Sequence, residues 1–322
     1  MKRYNIFSRR IIFAYIKSMR FYLFFISGMA GFLGIIFVGE IFQIGRFITV
    51  LSVLLLGWGV NQVINDLVGL KEDRINAPHR PLVTGELPVL AAVVLSLLLF
   101  ILGAIVTFIL NTKALILYVV VFFINIGYEY SKKVPLLGNI VFGILLVPCL
   151  YYSAMCVHNT GLEILLDKKL FLLAVAVLLI NITLVFFTYY KDFPGDKVAG
   201  KKTLIVRLTP QKARYLNWFV SAFPFILLPF VCILPGWKNS VNPYFIGFML
   251  LSFGILQYTA SLFFKYPEGI NTYYSLKWNF RGAVLYKTSL IALINPFLAG
   301  ILYLINFIFL GVMFDLHRDH LA

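Results

Sequence analysis

Long apolar runs broken by short polar segments set the pattern of this chain. Runs of about 20 apolar residues, the length that crosses a bilayer core, fall roughly at 19–39, 45–64, 88–110, 113–129, 137–157, 170–190, 215–235, 243–264 and 283–312. The pattern predicts an all-α polytopic membrane bundle of about nine transmembrane helices, in a single domain over 1–322. The last run is overlong and contains Asn295-Pro296, so it reads as one kinked helix. The gaps between runs reach about two dozen residues, too few for a second soluble domain.

Composition agrees with this pattern. Of 322 residues, 61% are hydrophobic and only 13% charged, which excludes an ordinary soluble domain. The formal charge of +15 invites a nucleic-acid reading, but the Lys and Arg form no separate soluble patch and no nucleic-acid motif accompanies them. Membrane topology accounts for them better. Of the 28 Lys and Arg, 21 lie in 1–20, 65–87, 130–136, 191–214 and 265–281, against six in the alternate segments. The positive-inside rule then puts the N-terminus and those segments in the cytoplasm and the C-terminus outside. The expected location is a bacterial cytoplasmic membrane. The basic start followed by an apolar run is similar to a signal sequence, but no small-residue cleavage site follows, and it reads as a first helix led by an interfacial basic segment. Cys149, Cys156 and Cys232 lack metal-ligand spacing and read as packing residues.

Two polar islands interrupt this economy of charge: Asn61–Gly85, "NQVINDLVGLKEDRINAPHRPLVTG", and Tyr189–Leu204, "YYKDFPGDKVAGKKTL". At about 100° per residue, Asn61, Asn65, Asp66, Glu72 and Asp73 share less than half of a helix circumference. Carboxylates crowded on one face repel unless a cation sits among them. Pro78 and Pro81 end that helix, and the following loop brings Arg80 back toward the membrane. In the second island Asp192 and Asp196 are four apart, though Pro194-Gly195 between them argues against a regular helix. Asn181 falls on the face of Asp192, and Lys191, Lys197, Lys201 and Lys202 surround the pair. Carboxylates among lysines suit a phosphate held partly through Mg²⁺ and partly by direct ammonium contacts.

"NDLVGLKEDRINAPHRPLVTG" and "KDFPGDKVAGKKTL" resemble the two aspartate-rich signatures of the UbiA superfamily of intramembrane prenyltransferases: NDxxDxxxD with an RP loop, and KDxxGDxxxGxxTL. Both occur in the right order, after the second and sixth spans. The resemblance implies a helical bundle around a central prenyl-binding cavity, capped on the cytoplasmic side by the signatures. It also implies Mg²⁺-dependent transfer of a prenyl group from an isoprenyl diphosphate to a lipophilic acceptor: a quinone precursor, another aromatic or a glycerol-phosphate lipid. Asn65, Asp66 and Asp73 match the first metal cluster, and Asp192 and Asp196 match the second. The same five are the expected catalytic set. Arg80 matches the RP-loop cation, and Lys132 in "YEYSKKVPLLGN" matches a basic loop position with Asn139 nearby. Lys191 and Lys202 complete the expected diphosphate set. One departure stands out: the middle aspartate of the first signature is Gly69 here, and Glu72 or Asn61 is the expected replacement ligand.

Rival readings are a terpene cyclase of the same superfamily, a prenyl diphosphate binder without catalysis, and a lipid transporter whose path would use Asn125, Asn181, Lys287 and Asn306. Tyr128, Tyr130, Tyr189 and Tyr190 lie near the expected mouth, where aromatic faces can shelter a carbocation. His317 and His320 with Asp315 and Asp319 read as a solvated tail, and Glu40 and Glu163 receive no role.

Overall fold

The computed structural model describes residues 5–39, 43–233 and 237–316. Among them there is no strand. The helices are α1 (Arg9–Ser18), α2 (Phe25–Val38), α3 (Ile44–Val68), α4 (Leu70–Asn76), α5 (Pro81–Thr84), α6 (Val89–Leu110), α7 (Leu115–Ser131) and α8 (Leu137–His158), then α9 (Lys168–Val198), α10 (Leu204–Leu208), α11 (Pro210–Ala213), α12 (Asn217–Ala222), α13 (Leu228–Ile233), α14 (Pro243–Lys265), α15 (Asn271–Ile291) and α16 (Pro296–Leu316). Seven described helices or helix runs are long and apolar enough to cross a membrane, or eight if α1 with its following turn and α2, bent by 60°, form one span. The chain is a multi-pass integral membrane protein.

The spans differ from the expected nine in two places. The 17-residue α7 is a shorter apolar helix. The last expected span, 283–312, is not one kinked helix but parts of two. Residues 292–295 turn the chain, Asn295 Oδ1 accepts from Leu298 N at 3.0 Å, and Pro296 opens α16 where its missing N–H costs nothing. The hairpin is antiparallel, because Tyr273 near the start of α15 donates to Phe314 O near the end of α16 at 3.2 Å, and Lys277 pairs with Asp315. The end of α16 therefore returns to the side of the signatures, whereas the expected topology put the end of the last span on the other side; the residues after it lie outside the described ones. Periodicity missed α15 because a span packed inside a bundle can carry Thr272, Ser275, Asn279, Lys287 and Ser289, all buried here.

Polar side chains and small residues join the helices, as expected where water supplies no hydrophobic drive between spans. Ser153 donates to Gly31 O at 2.6 Å, and a Cβ on Gly34 would collide with Leu150 O, so α2 and α8 pack backbone to backbone. Lys287 donates to Ile26 O at 2.7 Å, Asn279 to Leu184 O at 2.8 Å, and Asn306 to Thr288 Oγ1 at 3.1 Å. Asn125 donates to Asn61 O at 3.2 Å and Asn181 to Val177 O at 2.7 Å. Lys287, Asn306, Asn125 and Asn181, the four residues of the transporter path, are thus hydrogen-bonded within the bundle. Cys149 and Cys156 are buried, and the side chain of Cys232 lies outside the described residues.

At the centre runs α9, capped by Asp167, which accepts from Lys169 N and Leu170 N at 2.8 and 2.9 Å. It continues unbroken through Pro194-Gly195 to Val198, so Asp192 and Asp196 do stand one helical turn apart, against the sequence expectation. Gly195 serves a close approach: a Cβ there would lie 2.5 Å from Asn76 Cγ and 2.6 Å from Glu72 O. Asn76 clamps the contact, donating to Asp192 O at 3.0 Å and accepting from Gly195 N at 2.8 Å. This contact sets the two polar islands face to face.

Candidate functional site

The islands enclose one cavity. Asn65, Asp66, Gly69, Glu72, Asp73 and Arg80 line it from the first island, and Asp192 and Asp196 from the second. Lys132, at the end of α7, lines it from a third side with Tyr128 and Glu129. Six of the expected residues plus Lys132 therefore converge, with Asn65 included. Gly69 interrupts the first island between α3 and α4, yet the ladder persists across it, with Gly69 N to Asn65 O at 2.7 Å and Asp73 N to Gly69 O at 3.0 Å. The carboxylates consequently keep nearly the common face that helical spacing predicts.

Charge is distributed unevenly around the cavity. Asp66 Oδ1 accepts from Arg20 at 2.5 Å and from Arg80 at 2.9 Å, and Arg80 also reaches Asp73 at 2.5 Å. Burial pushes the Asp73 carboxyl up to about 6; Arg80 opposes the shift, and the Asp66 charge adds to it. Burial works against the charge of Arg80, but Asp66 and Asp73 outweigh it and hold the guanidinium above its ordinary range. On the other wall, Lys132 donates to Glu129 at 2.8 Å, while Lys201 bonds Glu72 at 2.9 Å and Glu129 O at 2.8 Å. Burial opposes the Lys132 charge too, and Glu129 and Asp196 reverse that effect and raise its pKa.

Two oxygens remain without partners. Asn65 Oδ1 and Asp196 Oδ2 are fully buried, and neither has a hydrogen-bond partner. Leaving a buried acceptor unsatisfied costs roughly 1–3 kcal/mol, and both residues line the cavity. An unpartnered amide oxygen and an unpartnered carboxylate oxygen on residues of one cavity are the kind of donors that a hard divalent cation takes. Among the described residues no three carboxylates, histidines or cysteines are grouped so as to hold a metal by themselves. Mg²⁺ takes one or two carboxylates and completes its shell with water and phosphate oxygens.

An apolar cavity continues from this charged one. Trp58, Gln62, Asn65 and Phe142 line both, and Val53, Phe100, Tyr118 and Leu145 carry the second into the bundle between α3, α6, α7 and α8. Asn61 lines this apolar part and Glu72 is tied to Lys201, so neither stands in for the missing carboxylate at 69. A Cβ on Gly69 would instead lie 3.8 Å from Glu129 Oε2.

Sequence reasoning missed Arg20, Asn76 and Glu129, and placed Lys201 only among the lysines around Asp192 and Asp196. Arg20 reaches Asp66 from a left-handed turn, φ 48°, whose carbonyl accepts from Trp58 Nε1 at 3.4 Å, and only its place at the end of the basic lead marks it in the sequence. Glu129 had a better signal, as the sole carboxylate between Glu86 and Glu163. Of the two expected lysines near the second island, Lys202 is exposed and gives only its backbone N–H, to Lys132 O at 2.8 Å, while Lys201 turns inward. Lys191 lines an adjacent cavity. Tyr128 lies beneath Lys132, 4.7 Å from ring centre to Nζ, and Tyr189 donates to its hydroxyl at 3.4 Å. Tyr190 bonds Asn217 at 2.7 Å and Tyr130 is exposed, so these two do not reach the site. His317, Asp319, His320 and Glu40 lie outside the described residues. Glu163 folds back on Gly161 N at 2.8 Å.

The model of the UbiA prenyltransferase family matches residues 24–281. Digeranylgeranylglyceryl phosphate synthase of Pyrococcus furiosus is 29% identical over 201 residues, covering 62% of this chain and 70% of that protein. The enzyme of the same name from Sulfurisphaera tokodaii is 26% identical over 243 residues, 74% of this chain and 81% of its own. Among solved structures, the apo UbiA homolog from Aeropyrum pernix K1 superposes with a TM-score of 0.67 at 19% identity, covering 86% of this chain and 98% of that one. A UbiA homolog from Archaeoglobus fulgidus bound to DMAPP and Mg²⁺ gives 0.57 at 20% identity, covering 80% and 97%.

Proposed function

The chain belongs to the UbiA prenyltransferase family, and from that premise we propose that its charged cavity binds an isoprenyl diphosphate with Mg²⁺ and transfers the prenyl group to a lipophilic acceptor, over a single domain spanning 1–322. The observation that carries the reading is the pair of unpartnered oxygens, Asn65 Oδ1 and Asp196 Oδ2, on residues that line one cavity, which shares walls with an apolar one. The names of the archaeal relatives favour a glycerol-phosphate lipid as acceptor. Those relatives lend the bacterial location no support, whereas the asymmetry of Lys and Arg supports a mouth on the cytoplasmic side.

Asn65, Asp66, Asp73, Asp192 and Asp196 would hold Mg²⁺, which when bound supplies charge neutralisation for the departing diphosphate. Arg80, half-buried, and Lys132, buried, are cationic by the company of carboxylates, line the same cavity and favour charge developing on diphosphate oxygens. Glu129 and Glu72 position Lys132 and Lys201. Tyr128 lines the charged cavity with its ring beneath Lys132 and 5.3 Å from that of Phe142, a residue of both cavities, so aromatic rings stand where an allylic cation would gain from them. Val53, Phe100 and Leu145 receive the chain and exclude water.

The test is product formation. Purified protein is incubated with labelled prenyl diphosphates of several lengths and each acceptor class, with and without Mg²⁺. A prenylated acceptor formed only with Mg²⁺ supports the reading. Cyclised product without acceptor, or bound but unreacted diphosphate, overturns it.

A further inference from the structure

The apolar cavity has a built end. Its α3 wall runs from Asn65, at the charged mouth, back to Val53, twelve residues deeper and, at 1.5 Å per residue, about 18 Å into the bundle. Helices α7 and α8 pass each other in opposite directions along the other side. At the mouth Tyr128 of α7 faces Phe142 of α8, with ring centres 5.3 Å apart; ten residues inward on each helix Tyr118 faces Tyr152 at 6.5 Å. Tyr152 is the deepest lining residue of α8, and the side chains that follow, Val50 on α3, Thr107 on α6, Ala114 before α7 and Cys156 on α8, are all 0% exposed, so the space stops there. Both tyrosines are held by α6. Tyr118 donates to Phe100 O at 3.1 Å, its ring stacks on that of Phe100 at 5.2 Å, and its hydroxyl takes the space that Gly103 leaves, where a Cβ would collide with it. Tyr152 shares a hydrogen bond with Thr107 at 2.9 Å. A buried hydroxyl is costly to leave unpaired, and swinging either ring aside would break its bond.

We propose that the Tyr118–Tyr152 pair is the floor of the donor's tunnel and sets the longest prenyl chain the protein accepts. The inference rests on the prenyl-transfer reading and adds the residues that measure the donor. A diphosphate in the charged cavity has Trp58 and Phe142, which line both cavities, at the start of this route. The side cavity shared with Arg20 and Arg80 offers another route, but it opens at Phe13 and Phe309, 70% and 38% exposed, and would measure nothing. Bonds of about 1.5 Å at angles of about 111° advance an extended chain about 1.25 Å each, so the four main-chain bonds of one isoprene unit span about 5 Å, and about 18 Å holds roughly three to four units. Each unit buried adds apolar contact and affinity; the first unit past the rings would have to displace them. Gly57 marks a point part-way along. It lines the cavity eight residues from Asn65, about 12 Å deep, and a Cβ there meets nothing within 4 Å.

Binding of non-reactive prenyl thiodiphosphates with one to eight isoprene units, measured with Mg²⁺ on full-length protein in detergent and without acceptor, tests the floor apart from turnover. Affinity in the wild type should rise severalfold per unit up to about three or four units, and drop about tenfold or more by about six. Tyr118→Ala and Tyr152→Ala should each move the optimum at least one unit longer, while one- and two-unit analogues bind within about twofold of wild type, which also reports that the variants fold. Tyr118→Phe keeps the ring and should keep the wild-type limit. Gly57→Leu should act in the opposite sense and lower the limit to about two units. Unchanged length dependence in both alanine variants, or in Gly57→Leu, overturns the proposal, and so does a wild type with no upper limit, whose chain would leave along Phe13 and Phe309. A limit that moves with Tyr118 in a protein that prenylates no acceptor supports the floor and rejects the transferase; transfer to an acceptor with the same yield from every chain length does the reverse.

Discussion

The first signature holds its carboxylates in ion pairs, while the second leaves them free. Asp66 and Asp73 share Arg20 and Arg80 in a compact network, whereas Asp192 and Asp196 have no ion pair among the described residues and Asp196 Oδ2 has no hydrogen bond. The difference follows from the chain around them. An RP loop and a left-handed turn at Arg20 fold guanidinium groups onto α3 and α4, but the nearest inward lysine of the second island, Lys201, is spent on Glu72 and Glu129. A cation arriving at the second signature meets a bare acceptor. At the first it competes with arginine, and an arginine displaced from Asp66 becomes available to a diphosphate.

The sharpest way to break this comparison is to neutralise each side in turn. Asp196→Asn should lower turnover at saturating Mg²⁺ by about 10²–10³-fold, the range for loss of one key electrostatic group, with thermal stability retained because no ion pair is lost. Near-normal turnover would remove Asp196 from the site. Asp66→Asn should behave differently, since it strips the shared partner from two partly buried guanidinium groups. A loss of about 3–5 kcal/mol, as when a buried pair loses one member, should appear as a lower midpoint on thermal unfolding in detergent, in addition to lost activity. Equal stability of the two variants would mean that the first network is not structural.

A smaller effect concerns Gly69, where this chain departs from the usual first signature. Its backbone, φ −90° and ψ 19°, is accessible to any residue, so a side chain is not barred by conformation. The direction of the new Cβ decides the outcome: it points toward Glu129 Oε2 and lies 3.0 Å from Asn65 O. Gly69→Asp therefore sets a second carboxylate beside Glu129, and because crowded carboxylates favour a cation among them it should tighten Mg²⁺-dependent diphosphate binding by about tenfold, a charge effect of one pKa unit's size. Gly69→Asp with Glu129→Gln should give back part of the gain. Weaker Mg²⁺ binding in the single variant would show that Glu129 holds the new carboxylate away from the metal.

Much of this was legible in the sequence because it is local. Apolar runs gave most spans, and the order of the two islands gave the converging Asn65, Asp66, Asp73, Arg80, Asp192 and Asp196. What sequence could not supply depends on long-range packing. Glu129 and Lys201 are 72 positions apart, and Arg20 and Asp66 are 46 apart, so no periodicity links them. Pro194 was read as a helix breaker because propensity is local, while α9 is kept helical by the neighbours that bury it on most of its length. The α15–α16 hairpin escaped because hydropathy alone cannot tell a polar, buried span from a loop.

The mildest test uses protons in place of mutations. The Asp73 carboxyl is raised to about 6, first by burial, with Arg80 opposing and Asp66 adding. A raised carboxyl pKa means that the folded, metal-free protein binds this proton more tightly than an ordinary carboxylate does, and holds it below about pH 6. Mg²⁺ requires the ionised form, so proton and metal compete. Between pH 7 and pH 5.5 the Mg²⁺ concentration giving half-maximal diphosphate binding should rise by about fourfold, the factor for one competing proton with a pKa near 6. Asp73→Asn removes the titrating group, and its weaker Mg²⁺ dependence should be flat over the same interval. The second signature provides the internal control: Asp196→Asn should keep whatever pH dependence Asp73 confers. If instead the dependence persists in Asp73→Asn and disappears in Asp196→Asn, the proton that competes with Mg²⁺ resides on the second signature, and the ion-paired first signature holds the diphosphate without taking the metal.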